Sequence, residues 1–244
     1  MTRRVIPTQN NIRMIAITIS TYERPDGKTL SYLNRTLTSI DNQTYKDYTV
    51  YLVGDAFQDV KALKREAKKH RNVKCYNLNR SPEQERYEHG TVARWCAGGV
   101  TAANTGIQKA LEDGIDYICH QSHDDLWEPD HLETINNVIE KHNPFFVCTL
   151  STYNNVACPP MVTDNEVIPF YPLYEGIIAC STCVKYSETN IRVIDRLHEE
   201  GILSPCDAYL WLQLKSEMEQ KNRKGYLVRR VTCHHDEEGY SNAK

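Results

Sequence analysis

Short, β-branched apolar runs alternate with stretches whose apolar residues recur at three- and four-residue spacing, and few architectures accommodate that alternation. MIAITIS at 14–20 reads as a buried strand. Thr21-Tyr22-Glu23-Arg24-Pro25-Asp26-Gly27 breaks it, and Leu30, Leu33, Leu37 and Ile40 then form one helical stripe. The pattern repeats with a strand at 48–53, a basic helix over 61–74, a strand at 73–78 and a helix carrying Val100, Ala103, Ile107 and Leu111. Strands separated by helices must run parallel, so the first half implies a parallel sheet with helices on both faces. The second half is less regular. It predicts strands at 145–150, 177–184 and 226–232, and helices from Leu132, over 187–197 and after Pro205, with loops and edge strands at 153–175. No repeat, low-complexity tract or linker divides the chain, so one mixed α/β sheet is expected.

YICHQSHDDLWEPDHL, residues 117–132, begins as a buried strand and ends in Ser122-His123-Asp124-Asp125. Two carboxylates beside an imidazole cannot sit inside an apolar sheet without partners. At the carboxyl end of a strand, where open α/β sheets place their ligands, they make a metal or phosphate site. A polar loop with Asp125 near a helix N-terminus is the bland alternative, and it leaves His123 and Asp124 without a role.

Other candidates stand at the ends of elements. Asp55 follows the second strand, where a carboxylate accepts hydrogen bonds from a ribose or a base N–H, or else closes an Asx-type turn. Asn104, on the first turns of the helix after Gly98-Gly99, can hold a neighbouring loop or a ligand. The pattern Ser204-x-x-Asp207 resembles a capping box, so Asp207 either caps a helix or does chemistry. His234 and His235 follow the last strand, where imidazoles beside acids can complete a metal shell. The stretch 80–97, polar through Gly90, has no periodicity and is long enough to be functional.

Composition narrows the partners. A formal charge of -3 argues against nucleic-acid wrapping or a cationic membrane face. No apolar run is long enough to cross a bilayer, and no signal-peptide pattern opens the chain. Nine scattered cysteines, mostly in apolar runs, read as reduced thiols, so a cytoplasmic location is expected. Cys180-Ser-Thr-Cys183 lacks the second pair a zinc ribbon needs and reads as packed thiols.

Taken in order, these pieces resemble glycosyltransferase family 2, with its GT-A fold. The carriers are Thr21-Tyr22-Glu23-Arg24, Asp55 with Asp59, Gly99 through Asn104 to Gly106, Ser122-His123-Asp124-Asp125 with Trp127 and Pro129, Cys206-Asp207 before an apolar helix, and His234-His235 with Ser241. The chain departs from the family pattern at Ser122, where the first acid of a DxD is expected, and at Glu23, Ala103 and Cys206.

The resemblance implies a single GT-A-like domain over 14–244, a Rossmann-like, mostly parallel mixed sheet with helices on both faces, after an N-terminal extension at 1–13. Residues 14–125 would bind the nucleotide and 126–244 the acceptor. It implies inverting transfer of a sugar from a nucleoside-diphosphate sugar, most commonly UDP-linked, to a hydroxyl of a glycan or other acceptor, with Mn²⁺ or Mg²⁺. Thr21, Tyr22, Arg24 and Asp55 would hold the nucleotide, together with Asn104 and His123. Asp124, with Asp125 and His235, would hold the metal, and Asp207 would be the general base. Two other readings fit the same residues. One is a metal-dependent phosphohydrolase using His120, His123, Asp124 and the late histidines. The other is a non-catalytic nucleotide- or glycan-binding module.

Overall fold

A computed structural model describes residues 14–172 and 176–235. The first half follows the alternation read from the sequence. It runs β1 (Ile15–Thr21), α1 (Thr29–Asp41), β2 (Tyr48–Gly54), α2 (Val60–Ala67) and β3 (Val73–Asn77). Next come α3 (Pro82–Arg86), α4 (Val92–Ala97), α5 (Val100–Glu112) and β4 (Tyr117–Ser122). The second half adds β5 (Leu126–Trp127), α6 (His131–His142), β6 (Phe146–Tyr153), β7 (Val156–Cys158), β8 (Val167–Phe170) and β9 (Thr182–Lys185). It closes with α7 (Arg196–Glu200), α8 (Cys206–Gln220) and β10 (Gly225–His234).

All strands join one sheet, with the path β3-β2-β1-β4-β9-β6-β10-β5. The β3, β2, β1, β4 side is parallel throughout, each strand reached through a helical crossover. Beyond β4 the sheet is mixed, because β9 runs antiparallel to both β4 and β6. Period-two alternation divides the core. Ile15, Ile17 and Ile19 of β1 face a cluster with Leu33, Leu37 and Ile40 of α1, whereas Ala16 faces the cluster holding Ile107 of α5 and Leu214 of α8. Helices therefore cover both faces.

Two stretches depart from the sequence expectation. The helix expected over 187–197 does not form: after a short turn at Tyr186–Glu188 the chain is extended to Asp195, and α7 begins only at Arg196. Ile191, Val193 and Ile194 are nevertheless buried. The backbone of Val193 is tied to Asn104, whose Nδ2 donates to its carbonyl at 2.7 Å and whose Oδ1 accepts from its N–H at 3.0 Å. Tertiary hydrogen bonds thus override a weak local stripe. Conversely, the stretch 80–97 holds α3 and α4, capped by Ser81 and Thr91. The second helix of the chain also stops at Ala67, short of the expected 74, because the chain must turn before β3.

At the end of β2, Gly54 leaves no room for a side chain. A Cβ there would lie 2.2 Å from Asn77 Oδ1 and 2.7 Å from Leu63. Asn77 cannot easily yield, because its amide accepts from the Phe57 N–H and donates to the Phe57 and Leu78 carbonyls. Gly54→Ala is therefore expected to overpack the turn that carries Asp55. The cost is about 1–3 kcal/mol, which lowers the melting midpoint by about 2–4 °C per kcal/mol in a chain of this size. Differential scanning calorimetry checks it, and an unchanged midpoint would show that Asn77 relaxes freely.

Candidate functional site

Strand register brings the site together. Thr21 pairs with Gly54 across β1 and β2, and Ser20 with Ser122 across β1 and β4. The residues that follow each strand, Tyr22, Asp55 and His123-Asp124, therefore emerge at one edge of the sheet. They line a cavity of about 660 Å³ together with Thr21, Arg24 and Asp207. That volume is within the range of small-molecule sites.

The loop after β1 is a built structure. The Arg24 N–H donates to Thr29 Oγ1 at 2.8 Å, and that hydroxyl donates to the Tyr22 carbonyl at 3.0 Å. The buried Arg24 guanidinium lies 3.1 Å from Asp26 and 3.8 Å from Asp124 Oδ2. Tyr22 is 39% exposed and meets the His123 ring edge-on at 5.3 Å between centroids. Thr21 Oγ1, Asp55 Oδ1 and His123 Nε2 are buried and have no hydrogen-bond partner among the described residues. A polar ligand in this cavity would supply partners to these three atoms, which the protein atoms around them do not satisfy.

The backbone of the acidic loop is held from α1, where Thr36 Oγ1 donates to the Asp125 carbonyl at 2.9 Å and Arg35 to the Asp124 carbonyl at 3.3 Å. The two carboxylates then diverge. Asp124 lines the cavity, and burial raises its pKa, an effect that His123 opposes and the neighbouring Asp125 reinforces. Asp125 is 1% exposed, and its Oδ1 pairs with His235 Nδ1 at 2.8 Å. Asp124, Asp125 and His235 were expected to share one metal. Here only Asp124 lines the cavity, because Asp125 is buried behind it and engages His235. His235 still acts electrostatically, lowering the proton affinity of both Asp124 and Asp207. His234 is engaged elsewhere, on Glu128 at 2.6 Å and Thr152 at 3.0 Å. Residues 236–244, including Ser241, lie outside the described residues.

Among the described residues, no three His, Cys, Asp or Glu side chains gather into a metal cage. The donor set fits a different kind of cation site. One desolvated carboxylate on an open cavity suits a hard divalent ion that arrives with phosphate oxygens and keeps its waters. His120, a ligand in the phosphohydrolase reading, hydrogen-bonds Tyr186 through Nε2 at 2.9 Å, and burial pushes its pKa down to about 4.

Asp207 sits in the first turn of α8. The helix starts one residue later than a Ser204 cap would place it. Pro205 is the N-cap, Ser204 Oγ is buried without a partner among the described residues, and the capping box is not formed. Asp207 instead accepts the Ala208 N–H at 2.8 Å while lining the cavity, and burial raises its pKa. Trp211, one turn on, is fully buried against Phe146 and His120 and is a core residue.

Asn104, expected at the nucleotide, spends both ends of its amide on Val193 and serves as a loop tie. Residues not singled out from the sequence also reach the cavity, including Gln84, Arg94 and Trp95 from the connection between β3 and α5. The Ser81-Pro82-x-Gln84 pattern, a cap with proline at the first helical position, was the available signal for α3. Cys180 packs beside Cys233 rather than Cys183, with sulfurs 2.7 Å apart, and all nine cysteines are free thiols.

Comparison with known proteins places this geometry. Residues 16–174 match the profile of the family described as glycosyl transferase family 2. An uncharacterized glycosyltransferase of Acanthamoeba polyphaga mimivirus is 28% identical over 238 residues, covering 91% of this chain and 94% of the relative. Among solved structures, TarS of S. aureus superposes with a TM-score of 0.66 at 13% identity, over 91% of this chain and 60% of that one. Its complex with UDP gives 0.65 at 12% identity, over 91% of this chain and 60% of that one. The mannosyltransferase PcManGT from Pyrobaculum calidifontis, in complex with GDP-Man and Mn²⁺, gives 0.56 at 14% identity, over 93% and 58%. The chain thus spans about 60% of the length of these solved chains, and at such identities the likeness shows a shared GT-A fold. The match over most of the chain, with the cavity it encloses, identifies the protein as a glycosyltransferase belonging to glycosyl transferase family 2.

Proposed function

We propose that this chain transfers a sugar from a UDP-sugar to a hydroxyl acceptor, with inversion at the anomeric carbon and with the help of Mn²⁺ or Mg²⁺. The observation that carries the reading is the meeting of Thr21, Asp55, Asp124 and Asp207, from four separate elements, around one cavity. TarS was crystallised with UDP and with UDP-GlcNAc, and PcManGT with GDP-Man and Mn²⁺, which supports a nucleotide-sugar donor and a divalent cation.

Each residue has a physical task. Thr21 and Asp55 offer unsatisfied oxygens to the nucleoside, and Tyr22 presents a half-exposed ring beside it. Asp124 would hold the cation, which neutralises charge on the departing diphosphate. Asp207 takes the proton of the acceptor hydroxyl as its oxygen bonds to C1. The C1–O bond to phosphate breaks with its electron pair on the leaving group. Attack from the face opposite the diphosphate inverts C1. Residues 14–125 supply the nucleotide contacts and the later half the base, consistent with a donor side and an acceptor side.

A thermal-shift panel of nucleoside diphosphates, each with Mn²⁺ or Mg²⁺, tests the reading. At about 100 times Kd a bound ligand adds about 2.7 kcal/mol, so UDP with metal is expected to raise the midpoint by about 5 °C or more. If no nucleotide shifts the midpoint with either metal, the transferase assignment to this cavity is lost.

A further inference from the structure

Asp55 is gripped by a side chain from the connection between β3 and α5. Gln84 Nε2 donates to the Asp55 carbonyl at 2.7 Å and to its Oδ2 at 2.9 Å. Both amide hydrogens are therefore committed to Asp55. Gln84 Oε1 accepts from Arg94 Nη2 at 2.9 Å, while Arg94 Nη1 donates to the Gln84 and Tyr87 carbonyls at 2.8 and 3.1 Å. The amide cannot be flipped. A guanidinium only donates, and a carboxylate and a carbonyl only accept, so Gln84 must turn its oxygen to Arg94 and its nitrogen to Asp55. It is an adapter between a pure donor and pure acceptors. The other end of the segment is fixed as well, by Ser81 Oγ, which accepts the Gln84 N–H at 3.3 Å, and by Glu83, which takes Thr101 of α5 at 2.6 Å.

The clamp leaves Asp55 asymmetric. Asp55 is 3% exposed, its Oδ2 is occupied, and its Oδ1 has no hydrogen-bond partner among the described residues. Resting on the nucleotide-sugar reading above, we propose that Gln84 is a specificity-determining residue. By taking an acceptor site of Oδ2 and fixing the carboxylate, it leaves Oδ1 as the stronger acceptor for the base, which favours a base with a single ring N–H over one with adjacent donors. Uracil presents one N–H between two carbonyls, and a single oxygen satisfies it. Guanine presents a ring N–H beside an exocyclic amino group, and a carboxylate binds that edge well only with both oxygens. Adenine and cytosine offer a bare ring nitrogen at the corresponding place, which a carboxylate oxygen repels.

Calorimetric titration of UDP and GDP, each with Mn²⁺, into the wild type, Gln84→Ala, Gln84→Glu and Arg94→Met tests this. The wild type is expected to bind UDP at least about tenfold more tightly than GDP, since a bidentate pair discriminates by that order. Gln84→Ala frees Oδ2, so UDP weakens, GDP strengthens and the ratio narrows by about tenfold. Gln84→Glu sets one carboxylate against another and weakens both nucleotides. Arg94→Met removes the group that orients the amide and narrows the ratio in the same direction by less. Equal affinity of the wild type for UDP and GDP overturns the proposal and leaves the transferase reading intact. So does a Gln84→Ala protein that melts earlier with the ratio unchanged, since that is a purely structural role. Absence of binding by either nucleotide overturns both readings.

Discussion

Asp207→Asn is expected to lower the transfer rate by about 10²–10⁴-fold, the usual contribution of a positioned general base, while UDP affinity changes little. Asparagine keeps the shape and can still accept the Ala208 N–H, so the start of α8 is preserved. What it lacks is a basic oxygen for the acceptor proton. The raised pKa of Asp207 has two further consequences, both measurable. Transfer needs the anion, so kcat/KM should fall with decreasing pH along a limb that lies above the ordinary carboxylate range. Stability responds with the opposite sign. The folded protein holds this proton more tightly than the unfolded chain, so the group's favourable contribution is present below the unfolded pKa and is lost as pH rises through the folded one. At neutral pH the native carboxylate costs stability, and Asp207→Asn should melt at or above the wild-type temperature. A fully active variant would return Asp207 to a structural role at the helix start, and a variant that lost activity by melting early would say nothing for base catalysis.

Asp124→Ala is expected to abolish the metal-dependent part of nucleotide binding. Removing even an outer partner of a metal site typically costs about 10–100-fold in affinity, and a direct ligand should cost at least as much. Titration of UDP with and without Mn²⁺ separates this from a general loss of the pocket. In the wild type the metal should tighten UDP, and in the variant the two titrations should coincide at the weaker value. Asp125 and His235, paired behind the cavity, should remain folded in that variant, because the backbone of the acidic loop is held from Thr36. If Mn²⁺ tightens UDP equally in both proteins, Asp124 is not the ligand.

The parallel side of the sheet was legible because β1 and β2 are largely apolar, β-branched runs and the helices after them carry single stripes. The acidic loop was legible for a related reason: charged residues abruptly follow a buried strand, and that transition marks a sheet edge. What escaped the sequence depends on distant partners. Asp125 and Asp124 are neighbours with the same side chain, and only the fold, by burying one against His235 110 positions away, gives them different tasks. Asn104 reads as a ligand residue until the Val193 backbone is placed beside it, 89 positions on. Ile191, Ile194 and Leu197 match a helical stripe, but the chain there is extended and buries Ile191, Val193 and Ile194 while Arg192 is exposed. The contact between Gln84 and Asp55 spans 29 positions and leaves no periodic trace. The caps at Ser81 and Thr91 were the parts of that segment with a local signature.

In the proposed reading, the acids assigned to the reaction and the amide assigned to base choice are carried by different parts of the chain. Asp124 and Asp55 follow strands locked into a parallel ladder, while Gln84 rides on a connection tied down by side chains. If Gln84 sets base choice as proposed, drift in that connection would retune the choice of nucleotide without disturbing the ladder. Descendants of such a protein would then have a route to new donors in which the acids at the strand ends stay in place.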